Sequence, residues 1–145
     1  MSARRTLAIA RAPAHFPAMT TDKNKAGNEP RLRLRVVFGG DTMLGPGKAD
    51  LLELISETGS IAAAGRRMKM SYKRAWSLVE TMNSAYREPL VESARGGAQG
   101  GGAALTETGR EVVRLYRALE AHAVTAGRAE VEGLRGLLKD MSDRT

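Results

Sequence analysis

The stretch from residue 59 to 76 constrains the fold of this chain most, because it has the pattern of two short helices joined by a tight turn. Ser60 and Ser71 each precede a helix-favouring run, and serine is a preferred N-cap residue. The turn is then confined to Lys69 and Met70. Small side chains at residues 63–65 allow the two helices to cross closely over so short a connection. The stretch therefore predicts a helix-turn-helix.

Two further elements are expected before this motif. Residues 31–38 alternate arginine with apolar residues, which is typical of a half-buried strand whose arginines face outward. Gly39 and Gly40 then end the strand. After a Gly-Pro-Gly sequence at 45–47, the apolar spacing predicts a helix over residues 48–58 that turns one face to a core.

A hairpin and a long helix are expected after the motif. The second helix of the motif should end near Tyr86, since Pro89 cannot continue it. Residues 90–93 and 103–105 are predicted to pair as strands around a glycine-rich tip. Such a hairpin following a helix-turn-helix is a wing. Thr106 should cap the long helix, and Gly127 argues against one unbroken rod to the C-terminus.

These elements predict a mainly α fold with a small β hairpin, namely a winged helix-turn-helix with a long C-terminal dimerisation helix. We expect a disordered tail over residues 1–30, the DNA-binding domain over 31–122 and a helical extension over 123–145. Three alternatives to plain disorder stay open for this basic tail. It is a DNA-binding arm, or a targeting segment, or it precedes a true translation start at Met19.

Composition indicates a polyanionic partner. The chain has 145 residues and a formal net charge of +7, which favours DNA, RNA or an anionic surface as the partner. It contains no cysteine, which excludes disulfides and thiolate metal sites and fits a reducing cytoplasm. No apolar run approaches the ~18 residues of a membrane span. His15 and His122 are far apart and no carboxylates converge, so we expect no enzyme, metal or cofactor.

The positive charge is concentrated at the helix-turn-helix, where residues 66–74 include five basic residues and no acidic one. At 100° per residue, Lys73 and Ser77 lie opposite the predicted core face of the second helix. This pattern predicts an electrostatic grip on DNA, with a solvated basic helix face as the alternative. The candidate DNA-contacting residues are Arg66, Ser71, Tyr72, Lys73, Arg74, Ser77 and, in the wing tip, Arg95. Trp76 is expected to anchor this helix against the wing, with a base contact as the alternative.

Several local sequences resemble one known family. Gly-Ser-Ile at 59–61, Met-Ser-Tyr-Lys-Arg-Ala-Trp at 70–76 and Leu-Thr-Glu-Thr-Gly-Arg at 105–110 are similar to the N-terminal domain of ModE-type molybdate-responsive transcription regulators. Met82-Asn83, Leu90-Val91-Glu92 and the glycine-rich wing add to the likeness, which covers about residues 31–120. A more distant resemblance links the chain to the winged helix of LysR-type regulators.

The resemblance implies a dimer that binds a palindromic operator and regulates molybdenum-related genes. It also implies dimerisation through the N-terminal strand region and the long helix. In the full-length family a pair of small molybdate-binding β-barrel domains follows, whereas here the sequence after Glu120 is helical and interrupted by glycines. We therefore expect this chain not to bind molybdate tightly.

Periodicity adds a candidate dimer contact. Val112, Leu115 and Leu119 form an apolar stripe on the long helix, which is expected to pair with a second copy unless it packs only on its own domain. The resulting hypothesis is a homodimeric transcription regulator that binds double-stranded DNA sequence-specifically. It is expected to act as a repressor in the bacterial cytoplasm, associated with the nucleoid. A non-specific architectural nucleoid protein and a helical protein-interaction adaptor are the alternatives.

Overall fold

The structure is a computed structural model that describes residues 29–94 and 102–139. Most of the predicted tail and the wing tip with Arg95 lie outside the described residues. In chain order the elements are β1 (Val36–Gly39), β2 (Thr42–Leu44), α1 (Pro46–Thr58), α2 (Ile61–Arg67), α3 (Tyr72–Ala85), β3 (Val91–Ala94), β4 (Gly102–Leu105), α4 (Glu107–Ala126) and α5 (Arg128–Gly136). The predicted winged helix-turn-helix is confirmed: α2 and α3 form the motif, β3 and β4 the wing, and α4 the long helix.

The N-terminal strand is shorter than predicted and belongs to a hairpin that was not expected. Strands β1 and β2 are antiparallel, with Val36 opposite Leu44. The hairpin turns at Gly40 and Asp41, and Gly39 at the end of β1 and Gly40 have φ of 125° and 56°, a region that favours glycine. Because β2 has only three residues, the ladder ends at Val36, and residues 31–35 run outside the strand. Their predicted alternation nevertheless holds, since the arginines are exposed and the leucines half-buried.

Helix α1 lies at the centre of the main core. Its Leu51, Leu52 and Ile55 side chains are completely buried. Residues from every neighbouring element cover them, namely Ala64 of α2, Ala75, Val79 and Met82 of α3, Leu90, Val91, Ala103 and Leu105 at the wing, and Val113 of α4. The expected core face of α3 is thereby confirmed. Burying this apolar surface fixes α3 and the base of the wing relative to one another.

Side-chain caps define where three helices begin. The hydroxyls of Ser60, Ser71 and Thr106 accept hydrogen bonds from backbone amides three residues ahead, at 3.1, 3.2 and 3.0 Å respectively. Each bond satisfies an amide that the helix itself leaves free. The cap positions predicted from the sequence are therefore correct.

An ion-pair network fastens α4 to α1. The Arg117 guanidinium donates to Asp50 at 2.6 Å, Glu53 at 2.7 Å and Glu120 at 2.7 Å. Burial acts to lower the pKa of Arg117, but its hydrogen bonds to the three carboxylates outweigh burial, so the pKa lies above its ordinary value. The charged Arg117 guanidinium therefore holds the two helices together.

The extended N-terminal segment is tied to the same face of α4. The Tyr116 hydroxyl, on a side chain that is almost fully buried, donates to the Leu34 carbonyl at 2.8 Å. Tyr116 also forms a small second cluster with Leu44 and Ala49. These contacts place residues 31–35 beside α4, although they have no strand partner among the described residues.

Candidate nucleic-acid interface

The turn between α2 and α3 is short and closely hydrogen-bonded. The Lys69 amide donates to the Arg66 carbonyl at 3.0 Å, and the Met70 amide donates to the Gly65 carbonyl at 3.0 Å. Lys69 has φ of 57°, a left-handed conformation that costs a non-glycine residue about 1–2 kcal/mol. A turn fixed in this way sets the direction in which α3 leaves α2.

The five basic residues around this turn are exposed, and four of them form no ion pair within the described residues. Arg66, Lys69, Lys73 and Arg74 form no salt bridge within the described parts of the chain. By contrast, Arg67 pairs with Glu57 at 2.9 Å. Four cations without an intramolecular counter-charge produce a positive surface that attracts a polyanion.

The N-terminus of α3 adds to this charge. Free backbone amides in the first turn of a helix and the helix dipole both favour an anion. The Ser71 hydroxyl accepts from the Arg74 amide, and its own hydrogen remains able to donate outward. Tyr72 and Ser77 are also exposed. We call the group comprising Arg66, Ser71, Tyr72, Lys73, Arg74 and Ser77 the α3 surface.

Six of the seven predicted contact residues thus lie around the α2–α3 turn and the first two turns of α3. The seventh, Arg95, lies outside the described residues. From the sequence, Lys69 is predicted only to lie in the turn. The structure adds it to the exposed cations, and its position in the basic run was the available signal.

Trp76 is 41% exposed on α3. It borders a groove of about 740 Å³ together with Asp41, Thr42 and Met43 of the first hairpin, Lys48 of α1 and a row of α3 residues. Among the described residues, no wing residue lines this groove. The expected packing of Trp76 between α3 and the wing stays a prediction, because part of the wing lies outside the described residues.

Asn83 fixes the wing to α3, a role that the sequence analysis missed. Its Oδ1 accepts from the amides of Leu90 at 2.8 Å and Val91 at 3.1 Å, and its Nδ2 donates to the Val91 carbonyl at 3.1 Å. The Ala103 amide on β4 donates to the Gly59 carbonyl at 2.9 Å. The available sequence signals were an asparagine near the inner side of an amphipathic helix and the Met82-Asn83 pair in the family resemblance.

The proposed dimer stripe is partly covered by its own domain. Val112 is half-buried and packs against both apolar clusters. Leu115 and Leu119 keep 54% and 42% of their surface exposed. Of the three stripe residues, only these two leucines therefore keep a large exposed apolar surface, and Val112 contributes mainly to the intramolecular core.

The described residues contain neither a membrane-spanning helix nor a cluster of metal ligands. No helix in residues 29–94 and 102–139 is long and apolar enough to cross a membrane. Over the same ranges, no three histidine, aspartate or glutamate side chains converge to hold a metal ion.

Comparison with curated proteins identifies relatives that share part of the chain. No protein-family model matches. The molybdenum transport protein ModE of Azotobacter vinelandii is 48% identical over 84 residues, which are 55% of this chain and 31% of the relative. The molybdenum-pterin-binding protein MopB of Rhodobacter capsulatus is 39% identical over 104 residues, which are 71% and 38% respectively. The DNA-binding transcriptional dual regulator ModE of Escherichia coli is 41% identical over 71 residues, which are 49% and 27%.

Solved structures resemble the chain more loosely. A CbnR DNA-binding domain in a DNA complex has a TM-score of 0.47 at 19% identity, covering 60% of this chain and 95% of that one. A point mutant of Lactococcus lactis ZitR has a TM-score of 0.46 at 19% identity, covering 78% and 76%. Neither likeness is close enough to inform the interface.

The chain spans about a third of the length of the curated relatives that it matches. Within that span the identity is 39–48%. The similarity to the N-terminal part of ModE-type transcriptional regulators, inferred from the sequence motifs, is therefore confirmed.

Proposed function

We propose that this chain is a non-enzymatic transcription regulator that binds double-stranded DNA in a sequence-specific manner. The observation that carries the proposal is the set of four exposed cations without ion pairs, Arg66, Lys69, Lys73 and Arg74, at the N-terminal end of α3. A merely solvated helix surface commonly mixes both signs of charge. Here the residues from 66 to 74 carry one sign only.

In the proposed complex α3 enters the major groove. The N-terminal residues of such a recognition helix reach base edges, and the flanking cations contact phosphates. Lys73 and Arg74 supply charge in the first turn, while Ser71 and Ser77 offer hydroxyl groups to phosphate oxygens or bases. Asn83 holds the base of the wing to α3, and in the proposed complex Arg95 of the wing tip contacts the backbone of the same duplex.

The names of the relatives suggest which genes are controlled. The Escherichia coli relative is named a DNA-binding transcriptional dual regulator, and the Azotobacter and Rhodobacter relatives are named for molybdenum transport and molybdenum-pterin binding. We propose that this chain represses molybdenum-related genes in the bacterial cytoplasm. Repression follows if the bound protein occupies DNA that the transcription machinery needs.

We further propose a homodimer on a palindromic operator. One recognition helix reads only a few base pairs, so useful specificity requires two half-sites about 34 Å apart. The exposed Leu115 and Leu119 side chains support a dimer interface on α4, which we call the dimer seam, because their burial against a second copy is favourable. The extended segment that Tyr116 holds beside α4 lies close enough to contribute.

Molybdate is not expected to bind tightly to this chain. The groove beside Trp76 is lined by the carboxylates of Asp41 and Glu80, which repel an oxyanion. The ammonium of Lys48 in the same groove already donates to the Met43 carbonyl at 2.9 Å. Calorimetry with sodium molybdate should show no tight binding, and a tight complex would contradict this part of the proposal.

The function is tested by selecting duplexes from a random pool with the purified chain. A common, two-fold symmetric sequence is expected, and the double variant Lys73→Ala/Arg74→Ala should fail to enrich it. Arg128→Ala on α5 is the matched control, since it removes an exposed cation away from α3. Bound duplexes without any shared sequence would favour the architectural alternative, and no binding would refute the proposal. Genomic pull-down with and without molybdate in the medium then tests the targets.

A further inference from the structure

Two aromatic side chains are exposed on α3 without a structural reason. Tyr72 and Trp76 keep 58% and 41% of their surface accessible. They are four residues apart, so they are neighbours on one side of the helix. Within the described part of the chain, neither the Tyr72 hydroxyl nor the Trp76 indole nitrogen has a hydrogen-bond partner. Their exposed area therefore stabilises nothing in the free protein.

The surroundings of this pair restrict what can cover it. Lys73 lies beside the pair on the same helix, whereas Arg74 lies on the opposite flank. Both cations are exposed and form no ion pair within the described residues. A surface that combines cations with apolar rings fits a partner that offers phosphates and apolar groups at close range. In the major groove of B-DNA, the apolar group on a base edge is the C5 methyl of thymine.

We propose that Tyr72 and Trp76 contact thymine methyl groups and so contribute to operator specificity, an inference that rests on the proposed DNA-binding function. Four residues of α-helix rise about 6 Å, whereas successive bases of one strand are about 3.4 Å apart. The two rings therefore reach methyl groups that are about two base steps apart. Each half-site of the preferred duplex should contain thymines at such a spacing.

The test removes methyl groups and nothing else. After selection of the preferred duplex, each thymine of a half-site is replaced singly by deoxyuridine, and the dissociation constant is measured at one salt concentration. Burial of one methyl-sized group predicts a three- to fivefold loss of affinity, roughly, at the contacted positions. Trp76→Ala should bind the thymine and deoxyuridine duplexes equally well at the thymine that Trp76 contacts. Tyr72→Ala should do the same at the thymine that Tyr72 contacts.

Two variants serve as controls. Trp76→Phe keeps an apolar ring and should retain part of the methyl effect. Phe38→Ala removes an aromatic side chain of similar exposure from β1, which does not belong to the α3 surface, and should leave the methyl effect unchanged. Circular dichroism of every variant establishes that the helices are intact before binding is compared.

The outcomes separate this inference from the function on which it rests. If the wild type selects a sequence but tolerates deoxyuridine at every position, or selects half-sites without thymine, the methyl contact is refuted while DNA binding stands. Equal methyl effects in the wild type and in both alanine variants also refute it. If the wild type binds no duplex, the proposed function fails and the inference fails with it.

Discussion

Arg117 on α4 donates from Nε to Oε1 of Glu53 on α1 at 2.7 Å, although 64 residues of sequence separate them. Glu53 is buried, and its second oxygen has no hydrogen-bond partner among the described residues. The guanidinium is therefore the group that compensates the Glu53 charge most directly. It also joins the helix carrying the proposed dimer seam to the helix at the centre of the core.

Replacing Arg117 with methionine should lower the free energy of unfolding by about 3 kcal/mol, because it leaves a buried carboxylate without its partner. Urea denaturation measures the change. Glu120→Gln is the control, since it removes a more exposed partner of the same guanidinium and should cost less than about 1 kcal/mol. Equal stabilities of the two variants would show that the Arg117–Glu53 bond is unimportant.

Gly109 is where α4 passes closest to the base of the wing. A Cβ there would overlap the backbone carbonyl of Leu90, which cannot move like a flexible side chain. Gly109→Ala should therefore destabilise the protein by about 3 kcal/mol. Gly133→Ala on α5 places the same methyl group in open space and should stabilise its helix by up to about 1 kcal/mol. Thermal unfolding of both variants compares them, and a neutral Gly109→Ala would contradict the observed approach.

Asn83→Ala should cost about 2–3 kcal/mol, since it leaves two backbone amides and one carbonyl at the base of the wing without their partner. The adjacent Ser84→Ala removes only an exposed bond to the Glu80 carbonyl and should be almost neutral. Denaturant midpoints measure both effects. A harmless Asn83→Ala would mean that other contacts suffice to hold the wing on α3.

The dimer is tested by placing charge in the proposed seam. Leu115→Glu and Leu119→Glu should each convert a dimer to monomers, because burying an unpaired carboxylate is costly. Sedimentation at several protein concentrations measures the mass. Leu137→Glu, at an 85% exposed position beyond α5, is the control for apolar surface outside the seam. A monomeric wild type, or charged variants that still dimerise, would place the seam elsewhere or remove it.

Local patterns were sufficient to predict the helix-turn-helix and the wing. Ser60, Ser71 and Thr106 act as caps through bonds that span three residues, so the sequence near each cap carries the information. Gly127 likewise interrupts the long helix, with α4 ending at Ala126. Strand β2 was missed because three residues before a Gly-Pro pair are too short a pattern to recognise.

Long-range polar contacts were not predictable in this way. The bonds from Arg117 to Asp50 and Glu53 and the Tyr116–Leu34 bond join residues 64 to 82 positions apart, and these partners become apparent only once the chain is packed. Within the candidate site, the charge run and the helical periodicity indicated that the cations of α3 are exposed, as the structure has them. These patterns could not show which of the cations are paired internally, which is why Arg67 differs from its neighbours.

The most direct measurement of the proposed DNA grip is the salt dependence of binding to the selected duplex. In Lys73→Ala and in Arg74→Ala, the magnitude of the slope of log affinity against log salt should be smaller than in the wild type by about 0.9, because each variant loses one phosphate contact. Arg128→Ala should keep the wild-type slope. Slopes for the two α3 variants that equal the wild type at every salt concentration would contradict the claim that α3 grips the DNA backbone.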